Sequence, residues 1–209
     1  NGGADPETNL TLRYAIVDAK AVNMAKDTIE KAIKKASGEG DEGVRYEEVR
    51  YEGYGPGGVA IIVDVLTDNV NRTAPEMRKL FENGNGNLAK PGSVAFGFES
   101  TGIILIEENE TSEEQLMEVA LDAGASDIIQ GEGGWEITCD PVEFLTLRQA
   151  IEAAGINMLS AEVTLVPANL ITCDIELGAK VFKLLESIDD HEDVQKVYSN
   201  GDIPEGAME

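Results

Sequence analysis

Residues 52–73 read EGYGPGG-VAIIVDVLTDNVNRT, and the fold turns on how Glu52 to Gly58 is understood. Four glycines and a proline in seven residues form a bend. The immediate question is whether that bend cradles a phosphate. A phosphate loop delivers its guest to a helix N-terminus, where unpaired N–H groups point at it. Here the glycines run into Val59 to Leu66, an almost wholly apolar run of strand length. Neither a GxGxxG nor a Walker pattern is present, and no Lys-Ser/Thr pair follows. The bend is therefore read as a tight turn that aims a strand, with glycines where φ is positive.

Working outward, Thr73-Ala-Pro-Glu76 has the form of a capping box that opens a helix carrying Ala74, Met77, Leu80 and Phe81 inward. Arg78, Lys79 and Glu82 point outward. Pro75 fits a first turn, where its missing N–H is harmless. Ser93 to Phe98 reads as the next strand. Upstream, Leu12, Ala15, Ile16, Ala19 and then Ile29, Ala32, Ile33, Ala36 give two helices with a turn near Asn23 to Ala25. Residues 38–43, GEGDEG, form a linker.

Residues 102–167 spell out a complete unit: strand Ile103 to Glu107, a helix from Ser112, strands Asp127 to Gln130 and Trp135 to Cys139, a helix after Asp140-Pro-Val-Glu143, and strand Ala161 to Val166. The order β-α-β-β-α-β is ferredoxin-like. A helix capped by Asp174 and a strand at Val194 to Ser199 lack partners of their own. With residues 59–98 and a short strand near Asn169 to Thr172, they make a second such unit. The fold class is α+β, a helical domain at 1–43 followed by two ferredoxin-like α/β domains. One of these, 101–167, is inserted into the other, 44–100 with 168–209.

The net charge is −24 from 16 basic and 40 acidic residues, which argues against binding naked nucleic acid over the whole surface. The imbalance is uneven. Residues 1–43 and 44–100 each carry 6 basic and 8 acidic side chains, whereas 101–164 carries 1 and 14, and 165–209 carries 3 and 10. A polyanion would have to meet the first half. No apolar run approaches the roughly 20 residues of a membrane helix. Cys139 and Cys173 form no CxxC motif and read as buried thiols, so no metal and no cofactor are expected. Asn1 stands within what looks like a motif, so the natural N-terminus is expected upstream.

No catalytic set can be assembled. His191, the single histidine, sits in DDHEDV and reads as a solvated loop residue. Glu52, Asp64 and Asp68 could be paired for acid–base work, but nothing marks them. Trp135 opens a strand and reads as partly buried core. Tyr51 and Tyr54 flank the glycine turn and are candidates for stacking on RNA or for packing inside the protein. Asn69, Asn71 and Arg72 precede the Thr73 helix and form a candidate anion corner at its positive end.

EGYGPGG, TDNVNRT and GNGNLAKPGSV (Gly84 to Val94) together closely resemble the YebC family, which includes a mitochondrial translational activator of cytochrome c oxidase. So do NGGADPETNLTLRYAI, NMAKDTIEKAIKKA, DAGASDI (Asp122 to Ile128) and EDVQKVYSN (Glu192 to Asn200). The resemblance spans essentially the whole chain. It implies one helical and two α/β domains and a non-catalytic regulator of gene expression. Members are described as DNA-binding transcriptional regulators and as translation factors on the ribosome, including at proline-rich stretches. It also implies a basic segment ahead of the first helix, absent here. Two positions depart from the pattern. Val70 stands where the family often has a basic residue, which weakens the anion corner, and Ala25 stands where it has proline.

The resulting expectation is a cytoplasmic protein (or a mitochondrial one, given the start at Asn1) that binds nucleic acid without chemistry. Its phosphate contacts are expected among Arg13, Lys20, Lys26, Arg72, Arg78, Lys79 and Lys90. Such contacts position a protein without reading sequence. No helix is dense in Arg, Asn and Gln as direct base readout requires. That favours rRNA or tRNA on the ribosome over a DNA operator. The acidic half would face away or meet basic ribosomal-protein tails. The rival reading is a protein-interaction or small-molecule sensor module, which needs no basic face.

Overall fold

A computed structural model describes residues 4–7, 9–21, 24–37, 46–131 and 133–208. The expected linker at 38–43 lies outside them. In chain order the elements are α1 (Leu10–Ala21), α2 (Lys26–Ala36), β1 (Glu47–Tyr54), β2 (Ala60–Thr67), α3 (Val70–Asn83), β3 (Asn87–Leu88), β4 (Phe98–Glu107) and α4 (Glu113–Asp122). There follow β5 (Ala125–Gly131), β6 (Gly134–Cys139), α5 (Phe144–Ala153), β7 (Ser160–Pro167), β8 (Ile171–Thr172), α6 (Ile175–Asp189), β9 (Val194–Ser199) and β10 (Gly201–Asp202). The architecture is α+β, with two four-stranded antiparallel sheets.

The glycine stretch is a β-hairpin. β1 and β2 pair in register from Glu47 opposite Thr67 to Tyr54 opposite Ala60. The turn closes where the Gly55 N–H donates to the Val59 carbonyl at 2.8 Å. Gly57 and Gly58 carry φ of 70° and 80°, the left-handed region that a side chain disfavours. Gly53 answers a different need. A Cβ there would run into the Phe81 ring and lie 2.7 Å from the Asn87 carbonyl oxygen.

β2 is apolar because both of its faces are covered. Ile61, Val63 and Val65 pack with Met77, Phe81, Val181, Leu184 and Ile188 beneath α3 and α6. Ile62 points the other way, into a small cluster with Val94 and Phe98. The sheet order is β3-β1-β2-β9. Thus residues 59–98 and 169–199 do share a sheet. The route to it differs from expectation, because the slot between β2 and β3 is filled by β1, which comes first in the chain. The sheet has the ferredoxin strand order with one strand moved to the front. β8, expected in that slot, instead pairs in parallel with β10 in a separate two-stranded ribbon. Ser93 to Phe98 is not a strand of this sheet either. Residues 95–97 form a helical turn, and Phe98 begins β4 of the second sheet.

The second sheet, β5-β6-β4-β7, has the ferredoxin order without rearrangement. Ile104, Ile106, Ile137 and Trp135 meet Leu116, Ala120, Leu147 and Ile151 of α4 and α5 in its core. Ser112 caps α4 by accepting from the Gln115 N–H, and Asp174 caps α6 by accepting from the Leu177 N–H at 2.8 Å. Asp140 does not cap α5 directly. It accepts from Val142 N–H in a preceding turn, and the helix proper starts at Phe144.

Candidate nucleic-acid interface

The expected phosphate contacts fall into three places. Arg13 and Lys20 on α1 and Lys26 on α2 line one cleft of about 360 Å³, whose apolar wall is Ile16, Ile29 and Ile33. Arg13 is oriented by donating from Nε to the Pro6 carbonyl and from Nη2 to the Glu7 carbonyl, both at 3.0 Å. Lys26 lies 3.5 Å from Glu30, an exposed pair of little energetic weight. Arg78 and Lys79 stand together on the outer face of α3, and Lys90 is exposed in the loop after β3.

Arg72 does not belong with them. Helix α3 starts at Val70, four residues earlier than the capping-box reading, and its N-cap is Asn69, whose side chain accepts from the Arg72 N–H at 3.2 Å. Thr73 is consequently inside the helix and buried. Its hydroxyl donates to Asp193 at 2.6 Å and shares a hydrogen bond with Thr67 at 2.8 Å. Pro75 then lies in the helix interior, where it leaves the Asn71 carbonyl without its helical donor. The Arg72 guanidinium sits 2.8 Å from Asp193, 3.2 Å from Asp68 and 4.0 Å from Glu76. Three carboxylates around one cation make this corner net negative, so an incoming phosphate would be repelled. In place of an anion corner at Asn69, Asn71 and Arg72, Arg72 and Thr73 clamp α3 to Asp193 at the start of β9. Burial acts to raise the Asp193 pKa, but hydrogen bonds from Thr73, Arg72 and Thr67 outweigh it and hold the carboxyl below its ordinary range.

The tyrosines are also engaged. Tyr51 packs against the cluster beneath the helices, and burial pushes its phenol up. Tyr54 lies in the small cluster on the opposite face and donates its hydroxyl to the Ser93 carbonyl at 3.0 Å. Both are half-buried, with their rings packed against core clusters on one side.

The acidic candidates have structural partners. Glu52, only 5% exposed, accepts from the N–H groups of Gly92, Val94 and Ala95 at 2.6, 2.8 and 2.9 Å. Its burial acts to raise the pKa, but the three amides together hold the carboxylate below its ordinary value. Asp64 receives both Nε and Nη2 of Arg50, at 2.6 and 2.8 Å. His191 is not a freely solvated loop residue. Its Nε2 lies 3.1 Å from Glu76, and its Nδ1 accepts from the Asp193 N–H at 3.2 Å. Cys139 and Cys173 are buried, and burial pushes both thiols up, away from thiolate chemistry. Among the described residues no group of three or more His, Cys, Asp or Glu side chains converges as a metal site. No helix among them is long and apolar enough to cross a membrane.

Models of the two parts of one family match consecutive stretches of the chain. The TACO1/YebC protein N-terminal domain matches residues 1–39, and the TACO1/YebC second and third domain matches 46–201. The chain belongs to the TACO1/YebC family. Similar family members include a probable transcriptional regulatory protein of Desulfotalea psychrophila, 46% identical over 209 residues, covering 100% of this chain and 83% of that protein. Another, from Clostridium beijerinckii and of the same description, is 49% identical over 207 residues, covering 99% and 84%. Among solved structures, a conserved hypothetical protein of Aquifex aeolicus superposes with a TM-score of 0.83 at 43% identity, covering 98% of this chain and 84% of that one.

Two features of this family member were not read from its sequence. Lys180 and Lys183 of α6, with Asn83, Asn85 and Ser187, line a groove of about 350 Å³ between α3 and α6. The spacing of the two lysines after the Asp174 cap places them on one helix face. The second is Phe96, carried outward by the helical turn at residues 95–97.

Proposed function

We propose that this chain is a non-catalytic regulator of gene expression that works by binding nucleic acid, with ribosomal RNA as its favoured target. The observation that carries this reading is the α1–α2 cleft, where Arg13, Lys20 and Lys26 converge. In a chain of net charge −24, a cleft lined by three cations against one carboxylate, Glu30, is the natural place for phosphates. The helices around it alternate charge, with Asp27, Glu30, Lys31 and Lys34 exposed along α2. That surface suits backbone contact and offers little for reading base edges. Structured RNA fits such a surface better than an operator. The relatives' description as transcriptional regulators favours a second reading, binding to duplex DNA. We also propose that the helical pair, the β3-β1-β2-β9 unit and the inserted β5-β6-β4-β7 unit are separate domains, at 1–43, 44–100 with 168–209, and 101–167.

The test is a salt series of binding to ribosomes and to duplex DNA. Replacing Arg13, Lys20 and Lys26 together by Ala lowers the slope of log affinity on log salt by about 2, since each lost contact is worth about 0.7 to 0.9. Arg72→Ala leaves that slope unchanged. A triple variant with wild-type affinity and slope on both targets overturns the site. Stronger salt-dependent binding to DNA than to ribosomes selects the second reading.

A further inference from the structure

Phe96 is 84% exposed, more than any other large apolar side chain among the described residues. Its neighbours two residues to either side, Val94 and Phe98, are buried with Ile62. The helical turn at residues 95–97 carries Phe96 on its outer side, and hydrogen bonds hold that turn in place. Three amides at 92, 94 and 95 are fixed on Glu52. The Gly97 N–H donates to the Val94 carbonyl, and the Gly97 carbonyl accepts from Ala168, both at 2.9 Å. Tyr54 holds the Ser93 carbonyl. A bare aromatic ring is thus held on the water side by hydrogen bonds on both flanks.

Along the loop its exposed neighbours are small or polar. Pro91, Gly92, Ser93, Ala95 and Gly97 flank it, and Lys90, exposed and without an ion pair among the described residues, is kept by the same loop through the Ser93 N–H to Lys90 carbonyl bond at 3.1 Å. An aromatic anchor for a protein partner sits within a wider ring of contacts that excludes water. A nucleobase needs only one open ring face, with a cation near its phosphate. Prior rigidity removes the ordering cost of the contact. Building on the nucleic-acid reading above, we infer that Phe96 is a stacking platform for an unpaired nucleobase, with Lys90 holding an adjoining phosphate.

The probe is a single-stranded RNA oligomer carrying 2-aminopurine, titrated into the full chain beside a duplex of the same composition. The wild type binds the single strand more tightly. Phe96→Ala weakens that binding about ten- to hundredfold, as expected for one stacked base, with an unchanged melting temperature and salt slope. Lys90→Ala lowers the slope by about 0.7. Phe96→Trp retains affinity, and its exposed indole is quenched by the oligomer. If Phe96→Ala binds the single strand as well as the wild type does, the inference falls and the nucleic-acid reading stands. If the wild type binds neither strand form nor ribosomes, both fall. If Phe96→Ala abolishes binding to purified ribosomal proteins while RNA binding is intact, the ring is a protein anchor and the inference is overturned.

Discussion

Glu52 shows how one side chain can look functional and be architectural. A buried carboxylate beside a glycine-rich turn invites an acid–base role. Its three hydrogen bonds come instead from the backbone of the 92–95 loop, 40 to 43 residues on. Because the folded-state pKa is depressed below the ordinary value near 4.5, the carboxylate contributes stability that is fully present above that value. The contribution is lost as the pH falls through the folded pKa. Asp193 is depressed in the same direction and adds to the effect. Glu52→Gln replaces an acceptor pair by a single amide oxygen and leaves buried N–H groups short of partners, which costs about 1–3 kcal/mol at neutral pH. Thermal melts from pH 7 down to about pH 3 check this. The gap in melting temperature between wild type and variant is largest near pH 7 and closes at the acid end. A gap independent of pH would show that the carboxylate charge is irrelevant there.

At the level of elements, the β1–β2 hairpin sets the geometry of everything that follows. β1 separates β2 from β3, so the glycine turn must be tight and β1 must lie close against α3. Gly53 is where that approach is closest, with the Phe81 ring and the Asn87 carbonyl against its Cα. Gly53→Ala forces Phe81 or the β3 backbone to move. Overpacking of this kind costs about 1–3 kcal/mol. Chemical denaturation should show a lower midpoint with an unchanged slope. A midpoint equal to wild type would mean that β3 is loosely held.

For the whole molecule, the two sheets differ in how much of the chain they need. The core of the β5-β6-β4-β7 sheet draws all its buried residues from Ile104 to Ile156. The core beneath α3 and α6 draws on residues as far apart as Val59 and Ile188. A fragment of residues 98–167 should therefore fold alone with a cooperative thermal transition and dispersed amide resonances. Removing residues 190–208 strips β9 from β2 and should abolish the cooperative melting of the remaining sheet. A disordered 98–167 fragment would mean that its sheet depends on the rest of the chain. Charge is also a property at this scale. The inserted unit concentrates acid, with 14 acidic residues against 1 basic in 101–164, so it orients any bound polyanion toward the other half.

Much of this was legible in the sequence because it is local. The periodicity of α1, α2, α3 and α6, the caps at Ser112 and Asp174, and the β-α-β-β-α-β order of the insert depend on residues near one another. The glycine turn could be told from a phosphate loop because a strand, not a helix, follows it. β1 was not legible. Its sequence, EEVRYEGY, carries exposed Arg50 and buried Glu52 on one face, and each is satisfied by a partner outside the strand: Asp64 across the hairpin for one and the 92–95 amides for the other. Without those partners, the stretch reads as polar lead-in. The start of α3 was hidden for the same reason. Asn69, Asn71 and Thr73 can all cap a helix, and only Thr67 and the distant Asp193 claim Thr73 for the interior. Local chemistry fixed the helices and the apolar strands. Long-range pairing decided which polar side chains are buried, and so which cations are free to meet a partner.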